Sequence, residues 1–143
     1  MTMRGRYLLL LAVALVSACS NTTAPAPSSR ATGSWVYGGT QQTPSSAALD
    51  GSVSWRSIAS GVGAFEGTFT MIERKTSGEV RTLSGAAAGQ LLSDSIADFD
   101  LLVQGIARRH IGILRADSIS GSWASIEAGS SSTGRFVLRR SGP

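Results

Sequence analysis

Beyond residue 32 the apolar residues alternate with polar ones or form short runs, and no long stretch repeats with a helical period. The clearest alternation places Phe65, Phe69 and Met71 on one face, with polar residues between them. Glycine, serine and aspartate separate such segments, as they separate short strands. The pattern predicts about eight strands, at residues 33–38, 48–58, 63–73, 80–91, 94–103, 106–115, 118–126 and 133–140.

A second pattern, apolar–any–Gly–any–apolar, recurs around Gly51, Gly67, Gly85 and Gly121. Alternation puts each glycine on the inward face beside large side chains. Strands bend sharply where the inner side chain is missing, and a small closed barrel needs such bends. We therefore predict an all-β domain over residues 33–140, a single antiparallel up-and-down meander closed into a small barrel. Residues 85–89 (GAAAG) are also compatible with a short helical turn.

The first and last predicted strands carry a motif in addition to the strand pattern. Gly33-Ser34-Trp35 resembles the Gly-x-Trp of the calycin group, which comprises lipocalins and avidins. Arg139 or Arg140 ends the last strand, where lipocalins stack an arginine over that tryptophan. The resemblance implies a barrel architecture, which by itself does not specify a function.

The predicted turns differ in length at the two ends of the barrel. At one end the turns at residues 38–47, 74–79 and 127–132 are long and polar and that at 104–105 is short, whereas those at the other end are all compact. Long loops more often carry recognition, so we expect binding at the long-loop end.

The N-terminus has the layout of a secretory signal, with Arg4 and Arg6 before an apolar run of ten residues at 7–16. That run is about half of the ~20 residues that a membrane-spanning helix needs. Val16-Ser17-Ala18-Cys19 follows and resembles the lipobox of bacterial lipoproteins. The resemblance implies cleavage before Cys19 and lipid on its thiol. An ordinary signal or an uncleaved anchor is the alternative.

The lipobox divides the chain into a signal peptide at 1–18, the lipidated Cys19 with a Ser/Thr/Ala/Pro tether to residue 32, and the domain. The resemblance implies a membrane partner, and Ser20 in place of aspartate favours the outer membrane, facing the periplasm, with inner-membrane retention left open. Without Arg4 and Arg6, eleven basic residues face nine acidic ones, so the formal charge falls from +4 to +2. This near-neutral balance gives no reason to expect a nucleic-acid partner.

The residues available for chemistry are few, because Cys19, Lys75 and His110 are each the single residue of their type. We predict no enzyme, no metal site and no cofactor, since Cys/His ligand sets and a G-x-S-x-G elbow are missing from the sequence. The densest basic segment is Arg108-Arg109-His110. It is a candidate anion-binding site, and a solvated strand face is the alternative.

Six large aromatic residues fall on the inward face and are either core or the wall of a ligand site: Trp35, Trp55, Phe69, Phe99, Trp123 and Phe136. The function that we predict is a non-enzymatic binding module for a small apolar ligand or an envelope protein. The alternatives are an envelope inhibitor or assembly accessory with a filled barrel, and an unrecognised hydrolase. A hollow or a packed barrel centre would separate the first two.

Overall fold

A computed structural model describes residues 30–59, 61–127 and 130–142 of the chain, and Cys19 and the signal lie outside them. The described strands form one closed antiparallel barrel in which each strand pairs with the next and the last pairs with the first. This arrangement confirms the predicted all-β meander. The strands are β1 (Gly33–Thr43), β2 (Ala47–Ser57), β3 (Ala64–Lys75), β4 (Val80–Ser93), β5 (Ile96–Val103), β6 (Ile106–Leu114), β7 (Ser118–Glu127) and β8 (Ser130–Arg140).

Alternation decides which residues fill the barrel. On β5, Phe99 and Leu101 are buried while Asp98 and Asp100 lie on the other face. The segment at 85–89 is extended within β4, so the helical-turn alternative is wrong. Both of its neighbours hold it in the sheet, because Gly85 pairs with Phe69 on β3 and Gly89 pairs with Phe99 on β5. No helix among the described residues has the length and apolar character to cross a bilayer.

The predicted difference in turn length is wrong. β1 continues to Thr43, five residues beyond its predicted end, because Gly39 pairs with Leu49 on β2 and with Phe136 on β8. The turn after β1 therefore contains only residues 44–46, whereas the β2–β3 turn at the supposedly compact end spans 58–63. The β5–β6 turn is two residues, Gln104 and Gly105, both with positive φ as tight hairpins require.

The inward glycines lie where neighbouring backbones approach closely. A Cβ on Gly67 would overlap the carbonyl oxygen of Ser54 on β2, and one on Gly121 would overlap that of Ile111 on β6. The crowding therefore comes from the adjacent strand, whereas the sequence pattern had indicated large interior side chains. Glycine at these positions lets the strands coil tightly enough to close a small barrel.

One end of the barrel is closed by the chain that enters β1. Trp35 is fully buried, and its Nε1 donates to the carbonyl oxygen of Ala31 at 2.8 Å. Ala31 is also fully buried, so the packed domain includes a residue predicted to belong to the tether. Arg140 covers Trp35 with its guanidinium carbon 4.4 Å from the ring centre. Of the two arginines that the calycin resemblance suggested, Arg140 therefore makes the contact.

Candidate functional site

The middle of the barrel is packed with aromatic rings that meet across the lumen. Phe99 lies 4.7 Å from His110 and 4.9 Å from Trp55, measured between ring centres. Phe136 lies 4.9 Å from His110. All six aromatic residues expected to face inward are buried (Trp35, Trp55, Phe69, Phe99, Trp123 and Phe136). They form part of the barrel's hydrophobic core.

Above these rings, at the end opposite Trp35, the inward side chains become polar. We call this set the polar mouth; it consists of Gln41, Glu73, Arg81, Arg108, Ser125 and Ser132. These residues lie toward the ends of strands that join the turns at 44–46, 76–79 and 104–105. Gln41 donates to the carbonyl oxygen of Ser45 at 3.0 Å, and the Ser125 and Ser132 hydroxyls share a hydrogen bond of 2.6 Å.

Glu73 is the centre of the polar mouth, because its carboxylate is fully buried and bound from two sides. Arg81 is its register partner on β4, and both Nε, at 2.8 Å, and Nη2 donate to Oε2. Lys75 and Glu79 form a second ion pair of 2.7 Å at the rim. The Lys75 ammonium donates a hydrogen bond to Glu79 and lowers its pKa.

Arg108 reaches Glu73 from β6, on another side of the barrel. Its Nη2 lies 3.4 Å from Oε1 of Glu73, and its guanidinium carbon lies 5.0 Å from the centre of the Trp123 ring. Its Nη1 is buried and has no hydrogen-bond partner among the described residues. Buried ion pairs are often no more stabilising than apolar side chains of similar volume. The packing of the barrel alone therefore does not explain this polar set.

Directly below, Tyr37 and His110 form a buried pair. Nδ1 of His110 donates to the carbonyl oxygen of Arg108 at 2.7 Å, which leaves Nε2 to accept from the Tyr37 hydroxyl at 3.1 Å. Burial lowers the pKa of His110 to about 3 and raises that of Tyr37. The imidazole is therefore neutral near pH 7 and adds no charge to the polar mouth.

The structure does not bring the three residues of the candidate anion site together. Arg108 and His110 face inward, whereas Arg109 faces outward and binds the Asp98 carboxylate through Nε at 3.0 Å and Nη2 at 2.7 Å. Glu73 was not identified from the sequence, although its inward register follows from Phe69 and Met71, four and two residues earlier. Among the described residues, no three His, Cys, Asp or Glu side chains form a group suited to a metal ion.

The outer surface carries a separate depression of about 1050 Å³, which we call the outer groove. Small residues on β7 and β1 line it together with exposed branched apolar side chains. Arg135 and Arg139 border it and make no ion pair with another described residue. Its main lining residues are Val36, Gly38, Ile96, Ile111, Ile113, Ser120, Ser122 and Val137.

A closed barrel of eight sequential antiparallel strands, with an arginine over the first-strand tryptophan, is a calycin-like, lipocalin-type fold. Its solved neighbours include EF1p2_mFAP2b bound to DFHBI, at a TM-score of 0.60 and 11% identity over 81% of this chain and 98% of that one. The redesigned β-barrel mFAP1 bound to DFHBI has a TM-score of 0.58 and 12% identity, over 80% of this chain and 99% of that one. A fluorescence-activating β-barrel designed de novo has a TM-score of 0.52 and 13% identity, over 81% of this chain and 98% of that one.

Such low identities establish the fold alone. No known protein family matches the chain, and no curated protein sequence matches it.

Proposed function

We propose that this protein is a non-enzymatic binding module of the bacterial envelope, anchored by lipid on Cys19, that takes a small ligand in the polar mouth. The observation that carries the proposal is the polar mouth with its buried spare donor on Arg108, at the end of the barrel opposite the one that Arg140 covers. The fold supports it, since two of the neighbouring barrels are bound to the small molecule DFHBI.

The packed centre limits the ligand. Because Phe99, His110 and Phe136 meet across the lumen, the ligand sits above them rather than among them. The buried guanidinium of Arg108 and the rim side chains of Lys75 and Arg81 lie at that end of the barrel. We therefore propose a small ligand with both an apolar and a polar part, in place of the purely apolar one that the sequence suggested.

The binding proposal is tested by titrating the nitrogen-labelled full chain, in detergent, with the small aromatic probes benzoate and benzamide. Amide shifts should concentrate at Gln41, Glu73, Arg81 and Arg108. Gly38, in the outer groove, is the internal control and should not move. If neither probe shifts the amides of the polar mouth, or if both shift only those of the outer groove, the proposal fails.

The anchoring proposal is tested separately by labelling cells with radioactive palmitate. The wild-type chain and a Ser20→Ala control should incorporate label and be shortened. The Cys19→Ser variant should remain an unlabelled precursor, because the thiol that accepts lipid is gone. Equal labelling of Cys19→Ser and wild type would contradict lipidation at this residue.

The outer groove and the packed centre favour a second candidate, an envelope inhibitor or assembly accessory that acts through its surface. A photo-crosslinking residue at Ile113, which lies in the groove, should then yield a defined adduct in cells. Leu102 is similarly apolar, 41% exposed and outside the groove lining, so it provides the matched control. Equal adducts from both positions, or none from Ile113, would exclude the groove as the acting surface.

A further inference from the structure

We infer that the polar mouth selects a small carboxylate, which Arg108 binds through Nη1. The inference rests on the proposed function and specifies the chemical class of its ligand.

The first argument is the unused hydrogen-bonding capacity of Arg108. Its side chain is 10% exposed, and Nη1 is a buried donor with no partner among the described residues. A buried donor without an acceptor costs ~1–3 kcal/mol, and more when the group is charged. A carboxylate is the natural acceptor, because its two oxygens match the planar fork of a guanidinium.

The second argument is the charge balance. Glu73 supplies one buried negative charge, whereas the buried Arg108 and the partly exposed Arg81 supply two positive ones. At the rim, Glu79 pairs with Lys75 at 2.7 Å and also lies 3.6 Å from Nε of Arg81. Three positive and two negative groups leave the polar mouth and its rim with a net charge of +1, which favours an anionic ligand over a neutral or cationic one.

The third argument is that Arg81 binds Glu73 more closely than Arg108 does. Arg81 donates two hydrogen bonds to Oε2, whereas the Arg108 contact to Oε1 is 3.4 Å, longer than the ~2.7–2.9 Å of a strong charge-assisted bond. Arg108 can therefore turn toward an incoming carboxylate while Arg81 keeps Glu73 compensated. The guanidinium carbon of Arg108 also lies 5.0 Å from the centre of the buried Trp123 ring.

The experiment compares benzoate with benzamide, which have the same ring but differ in charge, by calorimetric titration of the full chain in detergent. Benzoate should bind at least about tenfold more tightly, the ratio expected from one charge-assisted hydrogen bond. Arg108→Met should abolish that preference. Arg109→Met removes the same formal charge from the outer face and should leave both affinities within about twofold, because Arg109 is paired with Asp98.

Glu73→Gln provides a variant with the opposite expected sign. It removes the internal carboxylate and frees Arg108, so benzoate should bind more tightly than to wild type. If circular dichroism shows that Arg108→Met does not fold, benzoate binding by Glu73→Gln still tests the role of Arg108. Weaker benzoate binding by Glu73→Gln would overturn the proposed exchange of partners.

The outcomes separate the ligand class from the proposed function. Equal affinity for benzoate and benzamide at the polar mouth would overturn the carboxylate assignment and leave the binding function intact. Inorganic phosphate binding as tightly as benzoate would also overturn it, since a planar carboxylate is then not distinguished. If neither benzoate nor benzamide binds at the polar mouth, both proposals fail.

Discussion

The guanidinium of Arg140 lies over the Trp35 ring, at 4.4 Å from its centre, and so joins the last strand of the barrel to the first. The same side chain donates to the carbonyl oxygens of Thr32, at 2.9 Å, and Arg30, at 2.7 Å. One residue thereby holds the segment that enters the barrel, in which Ala31 closes the core.

Replacing Arg140 with alanine should therefore lower the free energy of unfolding by about 2 kcal/mol or more, because the cation–π contact and two charged hydrogen bonds disappear together. Arg139→Ala is the control, since Arg139 is exposed and faces outward. It should change the stability by no more than about 0.5 kcal/mol. Urea unfolding measures both variants. Similar midpoints would show that the contacts of Arg140 contribute little to the stability of the domain.

Acid should destabilise the domain through His110, the chain's single histidine. Burial holds the folded-state pKa at about 3, below the ~6.5 of an unfolded chain. As the pH falls, the unfolded state binds the proton first, so stability that is present above ~6.5 is lost toward ~3. Between about pH 7.5 and about pH 5 the loss should be ~2 kcal/mol.

His110→Gln isolates this effect, because glutamine can still accept a hydrogen bond from Tyr37 but does not titrate. Urea midpoints of the variant should change much less over the same pH interval than those of wild type. A wild-type stability that stays flat down to about pH 5 would mean that His110 is protonated in the folded barrel.

Valine at Gly67 should be costly, because its Cβ would overlap the Ser54 carbonyl oxygen and push β2 away from β3. We expect a loss of ~1–3 kcal/mol or more, as for other overpacked sites. Gly38 is also a strand glycine, but a Cβ there has no atom within 4 Å. Gly38→Val should therefore stay within about 0.5 kcal/mol of wild type. Equal urea midpoints for the two variants would contradict the close approach at Gly67.

Trp123 is 2% exposed and lies between the packed rings and the polar mouth. Trp123→Ala should cost ~3–5 kcal/mol, the usual loss for a large aromatic residue in a core. Trp123→Phe should cost much less, because it keeps a ring and removes an Nε1 donor that has no partner among the described residues. Denaturant unfolding gives both values. A loss below about 1 kcal/mol for Trp123→Ala would mean that the ring is not part of the core.

Much of the fold could be predicted because a strand's side chains alternate strictly, and the alternation survives in short segments such as Phe65 to Met71. The end of β1 could not be predicted. Gly38 and Gly39 have the composition of a loop, and only pairing with both β2 and β8 keeps them extended. Loop composition reflects local preference, whereas strand length here was set by the neighbouring strands.

The polar mouth could be predicted only in part. Strand periodicity separates Arg108 from Arg109, so the two faces of that basic segment could have been assigned from the sequence. The partner of Arg108 could not, because Glu73 lies 35 residues away and on a strand that does not pair with β6. Contacts across a lumen depend on barrel dimensions, which alternation along a single strand does not encode.

Among the described strands, all pairings but one join neighbours in the chain, and the exception joins β1 to β8, with Trp35 opposite Arg140. Pairs so distant in sequence form slowly, because closing a long loop costs chain entropy before any contact between the two strands stabilises it. Until β8 is available, the curled sheet keeps two open edges. The final strand therefore sets the earliest moment at which the domain can be complete, and a chain still emerging from a ribosome or a translocation channel cannot close its barrel.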